Sequence, residues 1–348
     1  MEITEKLTNT GHEKVLFGYD AASGYRGIIA IHSTKLGPAV GGTRFWNYTD
    51  DEEALRDALR LSRGMTYKTA LAGLPFGGGK SIIIGDHTVL NRESLFRAHG
   101  RFVDTLGGSY ITAEDVGTNT SDMEYVRNET NHVAGLAGRS GDPSPSTAHG
   151  VFRALQAAAI YRWGSDDVSG KTVAVQGCGN VGYHLSKELH GAGAHLVVTD
   201  VNIEKAKRVA SEFKATVVQP EKIYAVAADI FAPCALGGII NDQTIRQLKV
   251  EIVAGAANNQ LLETRHGDML EERKILYAPD YAANAGGVMS GCIEVLGWEP
   301  SRALKRIHEI YDTILAIFER ARADGIPTYL AADRLAEQNL ASGNAGLK

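Results

Sequence analysis

The chain reads as an α/β protein of two domains, with an N-terminal α/β substrate domain, a Rossmann domain built on a doubly wound parallel sheet, and a cleft between them. Three observations predict this. The hexapeptide GCGNVG at residues 177–182 stands between a strand-like run and a helix-like run. Downstream of it, short apolar runs alternate with stretches of helical spacing, the pattern of a parallel sheet covered by helices. Upstream, glycine-dense segments interrupt a separate set of strands and helices, and 348 residues are enough for two cores. The expected boundaries are 1–134 for the substrate and oligomerisation domain, completed by a C-terminal helix over 325–348, and 135–324 for the nucleotide domain.

Along the chain, residues 26–32 (RGIIAIH) and 81–84 (SIII) have the apolar density of strands. Between them, residues 50–64 put Leu55, Ala58, Leu59 and Leu61 on one helical face. Thr49 or Asp50 can cap that helix, and Glu52 and Glu53 suit its positive N-terminus. Another helix is expected over 91–105, ended by Gly107 and Gly108. Residues 138–147 (GRSGDPSPST) read as a loop or hinge, and a long helix follows over 148–161. KTVAVQ at 171–176 is a strand, GCGNVG a turn, and the next helix runs to His190. Strands follow at 194–199, closed by Asp200, and at 229–232, 251–254 and 275–278. The final helices, 302–324 and 331–340, have no strand between them. The first is expected to bridge the domains and the second to pack on the N-terminal one.

Composition excludes other classes. Apolar residues make up 44% and charged residues 22%, an ordinary soluble balance. The net charge of −5 with no basic stripe argues against nucleic acid as a partner. No apolar run approaches the roughly 20 residues of a membrane span, and the charged start MEITEKLTNTGHEKV is no signal peptide. Cys178, Cys234 and Cys292 lie far apart, as free thiols of a reducing cytoplasm do. Neither they nor the histidines have metal-ligand spacing, so no metal is expected.

GCGNVG fits the dinucleotide fingerprint in its full context of strand, turn, helix and a later acid. Gly177 permits the tight turn, Gly179 lets a pyrophosphate approach the backbone, and Gly182 lets helix and strand pack closely. Asn180 and Val181 open the helix, whose free N–H groups face the phosphates. Asp200 can bind both ribose hydroxyls and would repel a 2′-phosphate, which favours NAD over NADP. Lys205 and Arg208 lie near enough in sequence to allow some tolerance of NADP.

The chemistry points to LPFGGGKSIIIG, residues 74–85. Lys80 follows three glycines and precedes three isoleucines. An apolar, constrained setting disfavours the charged amine and can make it a general base. A tight turn bearing a solvated lysine is the alternative. GPAVGGTR at 37–44, GMTYK ending at Lys68, and ITAEDVGT at 111–118 have the same density of glycine and charge. Two lysines, an acid and a glycine pair fit a small anion whose chemistry needs proton transfer. One lysine would hold a carboxylate and the other would serve as base. A silent NAD-binding protein would not need Lys68, Lys80 and Asp115 together. A hydroxy acid dehydrogenase would want a His, acid and Arg set, which is not found.

These segments, in order with FAPCALGG, AGAANNQL and YAPDYAANAGGV, resemble the amino acid dehydrogenase family that contains glutamate, leucine, valine, phenylalanine and tryptophan dehydrogenases. The resemblance covers nearly the whole chain and is nearest the leucine branch. It implies reversible oxidative deamination of an L-amino acid to a 2-oxo acid and ammonia with NAD, in a homo-oligomer. Carried over, Lys68 would bind the substrate carboxylate, helped by the backbone of Gly41 and Gly42 and flanked by Met65. Lys80 would activate water, and Asp115 would relay protons. Asn284 would contact the amino group, while Ala256 and Asn258 would lie beside the nicotinamide. Thr147 is a further nicotinamide candidate, with a helix N-cap as its other reading. Glutamate dehydrogenases place a lysine where this chain has Val40 and a serine where it has Gly291, so a second carboxylate would go unpaired. Val40, Ala113 and Val288 would line an apolar pocket for leucine, valine or isoleucine. Gly291 departs from the leucine branch and leaves room for phenylalanine or tryptophan.

Overall fold

The computed structural model describes residues 10–89, 91–136 and 142–343. The chain divides into two units. One comprises residues 1–141, 291–298 and 336–348, and the other comprises 142–290 and 299–335.

A mixed five-stranded sheet organises the first unit. Its strands are β1 (Lys14–Asp20), β2 (Tyr25–Ser33), β3 (Ala39–Trp46), β4 (Gly77–Ile84) and β5 (Tyr110–Glu114), in the order β1-β2-β4-β3-β5. β2 pairs antiparallel with β1 and β4, whereas β3 pairs parallel with β4 and β5. On one face lies α1 (Asp51–Leu71), whose Leu55, Ala58 and Leu59 pack with Ile28, Ala30 and Ile82. The other face carries α2 (Glu93–Asp104) and α3 (Thr120–Arg127), with Phe96, Met123 and Val126 packed against Tyr25, Phe45 and Ile83. Asp50 is the N-cap of α1, its Oδ1 accepting the Glu53 amide at 2.7 Å. The helix runs seven residues past the expected 50–64. Gly64 costs a helix only about 1 kcal/mol relative to alanine, and burial of Thr66, Tyr67, Thr69 and Ala70 carries the helix on.

The triple glycine is strand, so Lys80 does not sit on a turn. Glycine weakens a strand unless another backbone must come close, and here one does. A Cβ on Gly78 would lie 2.0 Å from the Thr66 amide nitrogen of α1, and one on Gly77 would lie 1.9 Å from the Ser33 carbonyl. One on Gly79 would meet the Tyr110 ring at 2.7 Å. β3 carries the same signature, since a Cβ on Gly41 would lie 1.8 Å from the Gly79 carbonyl. These glycines also hid β3 from an alternation-based reading. Residues 336–343, in the same unit, hold α1 from outside, with Glu337 accepting from the Tyr67 hydroxyl at 2.7 Å and Asn339 donating to the Ala70 carbonyl at 3.1 Å.

The second unit is a parallel six-stranded sheet. Its elements are α4 (Ser144–Trp163), β6 (Thr172–Gln176), α5 (Asn180–Gly191), β7 (His195–Thr199), α6 (Ile203–Phe213), β8 (Thr216–Val217), β9 (Ile230–Pro233), β10 (Ile252–Val253), α7 (Arg265–Glu272), β11 (Leu276–Tyr277) and α8 (Asp280–Ala283). Then come α9 (Gly286–Leu296), α10 (Pro300–His308), α11 (Ile310–Asp324) and α12 (Thr328–Ser342). The strand order β11-β10-β9-β6-β7-β8 places the reversal beside β6, where a doubly wound sheet binds ligands. Part of the expected hinge, 138–141, lies outside the described residues, while Ser144 to Thr147 are already helical. α10 and α11 lie wholly in the second unit and do not bridge. It is α9 that carries the chain from Ser290 of the second unit to Gly291 of the first. Among the described residues no helix is long and apolar enough to cross a membrane.

Gly78→Ala should force α1 away from β4, because the Thr66 backbone occupies the methyl's place. The expected cost is about 1–3 kcal/mol, read as a lower urea midpoint with unchanged slope. An unaltered midpoint would contradict this packing.

Candidate active site

The first unit brings its predicted chemical residues together through adjoining strands. Lys80 is only 5% exposed, and its Nζ donates to Asp115 Oδ2 at 2.5 Å. Asp115 follows β5 at a turn that Thr118 ties down, its Oγ1 accepting the Asp115 amide at 2.9 Å and lying 3.1 Å from the Thr43 carbonyl. The same Oδ2 accepts from Arg44 Nε at 3.1 Å. Arg44 Nη1 donates to Asp57 Oδ2 at 2.8 Å, and the Tyr48 hydroxyl donates to that oxygen at 2.7 Å. Burial presses Asp115 toward the neutral acid, but Lys80 and Arg44 together outweigh it and pull its pKa down to about 2. For Lys80, burial is the largest influence and lowers its pKa. The neighbouring Asp115 opposes this, and Arg44 adds to it. The lysine therefore sits below the ordinary lysine range even in contact with a carboxylate, as a general base requires.

The other predicted residues of this unit lie on β3, β5 and α1. Gly41 and Gly42 adjoin the Gly79–Lys80 backbone and Asp115, since a Cβ on Gly42 would lie 2.9 Å from Asp115 Cβ. Val40 is buried beside Gly78 and Ile111, and half-buried Ala113 pairs with Gly42. Met65 and Lys68 flank Thr66, the residue of α1 that touches Gly78. Beneath the strands lies a buried polar layer. The Tyr110 hydroxyl donates to the Gly41 carbonyl at 2.5 Å, and Thr43 Oγ1 meets Ser81 Oγ at 2.7 Å and Thr112 Oγ1 at 2.5 Å. His99 meets Thr43 through Nε2 and the Tyr25 hydroxyl through Nδ1, both at 2.9 Å, and burial pushes its pKa down to about 3. Arg44, Asp57, Tyr48 and this layer were missed in the sequence reading. Arg44 was in view as the last residue of GPAVGGTR, but its partner Asp57 lies in a helix with no unusual pattern.

In the second unit, Asn284 Nδ2 donates to Asn258 Oδ1 at 2.8 Å and to the Ala256 carbonyl at 3.0 Å, which joins three predicted residues. Asn284 is 5% exposed, and its Oδ1 has no hydrogen-bond partner among the described residues. A buried unsatisfied acceptor has a lone pair open to a donor from a ligand or an ordered water. Thr147 is not an N-cap. It lies inside the first turn of α4, with Oγ1 donating back to the Pro143 carbonyl at 3.0 Å, and a Cβ on Gly287 would meet that Oγ1 at 2.7 Å. Val288 and Gly291 lie one turn apart on α9, where a Cβ on Gly291 would meet nothing within 4 Å.

The glycine turn fits a dinucleotide. Gly177 has φ +98°, and a Cβ on Gly182 would lie 1.9 Å from the Gly177 carbonyl, so both must be glycine. Nothing lies within 4 Å of a Cβ on Gly179, which leaves open space at the start of α5. No side chain caps that start, so the first-turn amides of Asn180 and Val181 face that space. Asp200 already accepts the Cys178 amide through Oδ2 and the Asn202 amide through Oδ1, both at 2.7 Å. The carboxylate is thus aimed by the backbone, with lone pairs left over for hydroxyl donors. Arg208 is held by Glu212 at 2.9 Å and lies over the Tyr183 ring at 4.2 Å. Among the described residues no group of three or more His, Cys, Asp or Glu side chains could hold a metal ion.

The low pKa of Asp115 has a consequence for stability. Its folded value of about 2 lies below its ordinary 3.8, so its stabilising contribution is complete above about pH 4 and is lost as pH falls through about 2. The urea-midpoint difference between the native protein and Asp115→Asn should be constant from pH 7 to pH 5 and shrink between pH 4 and pH 2. A difference independent of pH would contradict the ion-pair account.

Two family profiles cover the chain. One, described as Glu/Leu/Phe/Val dehydrogenase, dimerisation domain, matches residues 12–132. The other, Glutamate/Leucine/Phenylalanine/Valine dehydrogenase, matches 138–202 and 198–344. A leucine dehydrogenase of Geobacillus stearothermophilus is 56% identical over 343 residues, 98% of this chain and 94% of the relative. A phenylalanine dehydrogenase of Lysinibacillus sphaericus is 47% identical over 347 residues, 97% and 91% of the two chains. The crystal structure of L-tryptophan dehydrogenase from Nostoc punctiforme superposes with a TM-score of 0.86 at 47% identity, covering 98% of this chain and 99% of that one. With a buried lysine on a mixed sheet paired to an aspartate at the turn after β5, a dinucleotide turn on a parallel sheet, and similarity over almost its entire length, the chain belongs to the glutamate/leucine/phenylalanine/valine dehydrogenase family of amino acid dehydrogenases.

Proposed function

We propose that the chain catalyses the reversible NAD-dependent oxidative deamination of an apolar L-amino acid (leucine, valine or isoleucine) to its 2-oxo acid and ammonia. The observation that carries this reading is Lys80, a buried amine with a lowered pKa held against an ionised aspartate. Lys68 anchors the substrate carboxylate with the Gly41 and Gly42 backbone, which fixes the α-carbon relative to the base. The unpartnered Asn284 Oδ1 accepts from the amino group. When bound, NAD accepts the hydride that leaves the α-carbon. Lys80 takes a proton from water as that water attacks the resulting imino carbon, and Asp115 passes protons to the nitrogen so that ammonia departs. Conversion of imine to 2-oxo acid thus consumes one water and releases one ammonia.

NAD is favoured over NADP because Asp200 would repel a 2′-phosphate and Arg208 is engaged by Glu212 and Tyr183. Val40, Met65 and Ala113 of the first unit would give an apolar side chain its surroundings, and none can pair a second carboxylate. The open space at Gly291 favours a second reading, an aromatic substrate such as phenylalanine or tryptophan. β1 is an edge strand with Phe17 53% and Tyr19 75% exposed, a surface suited to a homo-oligomer. The three free cysteines suit a cytoplasmic enzyme.

NAD reduction with a panel of L-amino acids should give the highest kcat/KM for the aliphatic ones, with glutamate inert, and Lys80→Ala should lower kcat by about 10²–10⁴-fold. Aromatic substrates in the lead would select the second reading. No activity with any of them would overturn both. Gly291→Val should raise the ratio of aliphatic to aromatic kcat/KM by roughly tenfold or more, measured on leucine and phenylalanine. An unchanged ratio would remove Gly291 from the pocket.

A further inference from the structure

We propose that Arg44, braced by Asp57, is a positioning residue that holds Asp115 aligned and returns it to the carboxylate after each proton it relays, so that Lys80 can give up and regain its own proton without leaving Asp115 uncompensated. The inference rests on the reading of Lys80 as the base. A single oxygen, Asp115 Oδ2, carries two cations, Lys80 Nζ at 2.5 Å and Arg44 Nε at 3.1 Å. Once Lys80 is neutral, a largely buried carboxylate would be left without a positive partner, which is strongly unfavourable. A guanidinium does not deprotonate in a protein, so Arg44 remains as the permanent counter-charge.

The geometry requires an arginine. Its Nε serves Asp115 while its Nη1 serves Asp57 at 2.8 Å, a fixed fork that one ammonium cannot reproduce. Asp57 is in turn held by the Tyr48 hydroxyl at 2.7 Å and by Arg60 at 3.4 Å, and the Arg44, Asp57 and Asp115 side chains are each less than 20% exposed. The row Lys80, Asp115, Arg44, Asp57 alternates in sign across β4, the turn after β5, β3 and α1. The other groups bearing on it are Arg60 on α1 and two neutral phenols, Tyr48 and Tyr110, both raised by burial. Arg44 favours neutral Lys80, whereas Asp57 favours its charged form.

Opposite signs give the test. In the pH profile of kcat/KM for deamination, Arg44→Gln should move the limb that reports Lys80 deprotonation to higher pH by about one unit. It should lower kcat about 10–100-fold without changing KM for NAD. Asp57→Asn should move the same limb to lower pH, and Arg44→Lys should restore the limb while recovering only part of kcat. Limbs that stay put, or that move in one direction in both variants, would overturn the proposal. If Arg44→Gln fails to fold by circular dichroism, Asp57→Asn decides alone, since a limb that moves down supports the proposal and any other result overturns it. A ¹³C NMR titration of dimethylated Lys80 in the same proteins reports the two shifts without catalysis. Correct NMR signs in a protein that oxidises no amino acid would sink the functional reading but retain the positioning role. An active native enzyme without those signs would do the reverse.

Discussion

The contact between Lys80 and Asp115 is the interaction on which the first unit's chemistry depends, and it imposes opposite demands. The carboxylate must rest ionised in a largely buried place, and the amine beside it must remain able to lose its proton. A simple ion pair satisfies only the first, because each partner stabilises the charge of the other. Here burial of the amine and the second cation, Arg44, shift the balance, so that the aspartate is pulled far down while the lysine is not held up.

The backbone makes this placement possible. Gly77 and Gly78 let β2 and α1 close on β4, Gly79 makes room for the Tyr110 ring of β5, and Gly41 lets β3 close on it from the side. With four neighbours against one strand, the next side chain, Lys80, has little access to water. The buried hydroxyl layer of Thr43, Ser81, Tyr110 and Thr112 supplies polar partners among these strands, and the Tyr110 hydroxyl holds the Gly41 carbonyl. The glycines that keep the site narrow thus also fix the backbone next to the proposed carboxylate anchor.

Much of this was legible in the sequence, and what was not has physical reasons. The parallel sheet of the second unit was readable because five of its six strands are short apolar runs bounded by turns, whereas the two-residue β8 shows no such run, and GCGNVG announces its own geometry. Lys80 stood out because glycines and isoleucines bracket it. β3 and the first half of β4 were not recognised as strands, since their glycines are set by contacts with backbones far away in sequence. β1, with Phe17 and Tyr19 exposed, lacked the apolar density used to find the others. Arg44 and Asp57 could not be paired from sequence because a strand and a helix bring them together. The helix-cap alternative for Thr147 fails because the preceding Ser and Pro residues look like loop but already form the first helical turn.

The central claim is that Lys80 acts as a neutral base and does not serve only as a fixed positive charge. Chemical rescue of Lys80→Ala by small primary amines tests it most directly. The account predicts that added methylamine or ethylamine restores deamination in proportion to the unprotonated amine, with rescue growing as pH rises at constant total amine. Rescue that follows the ammonium form would contradict it and would leave Lys80 as an electrostatic anchor.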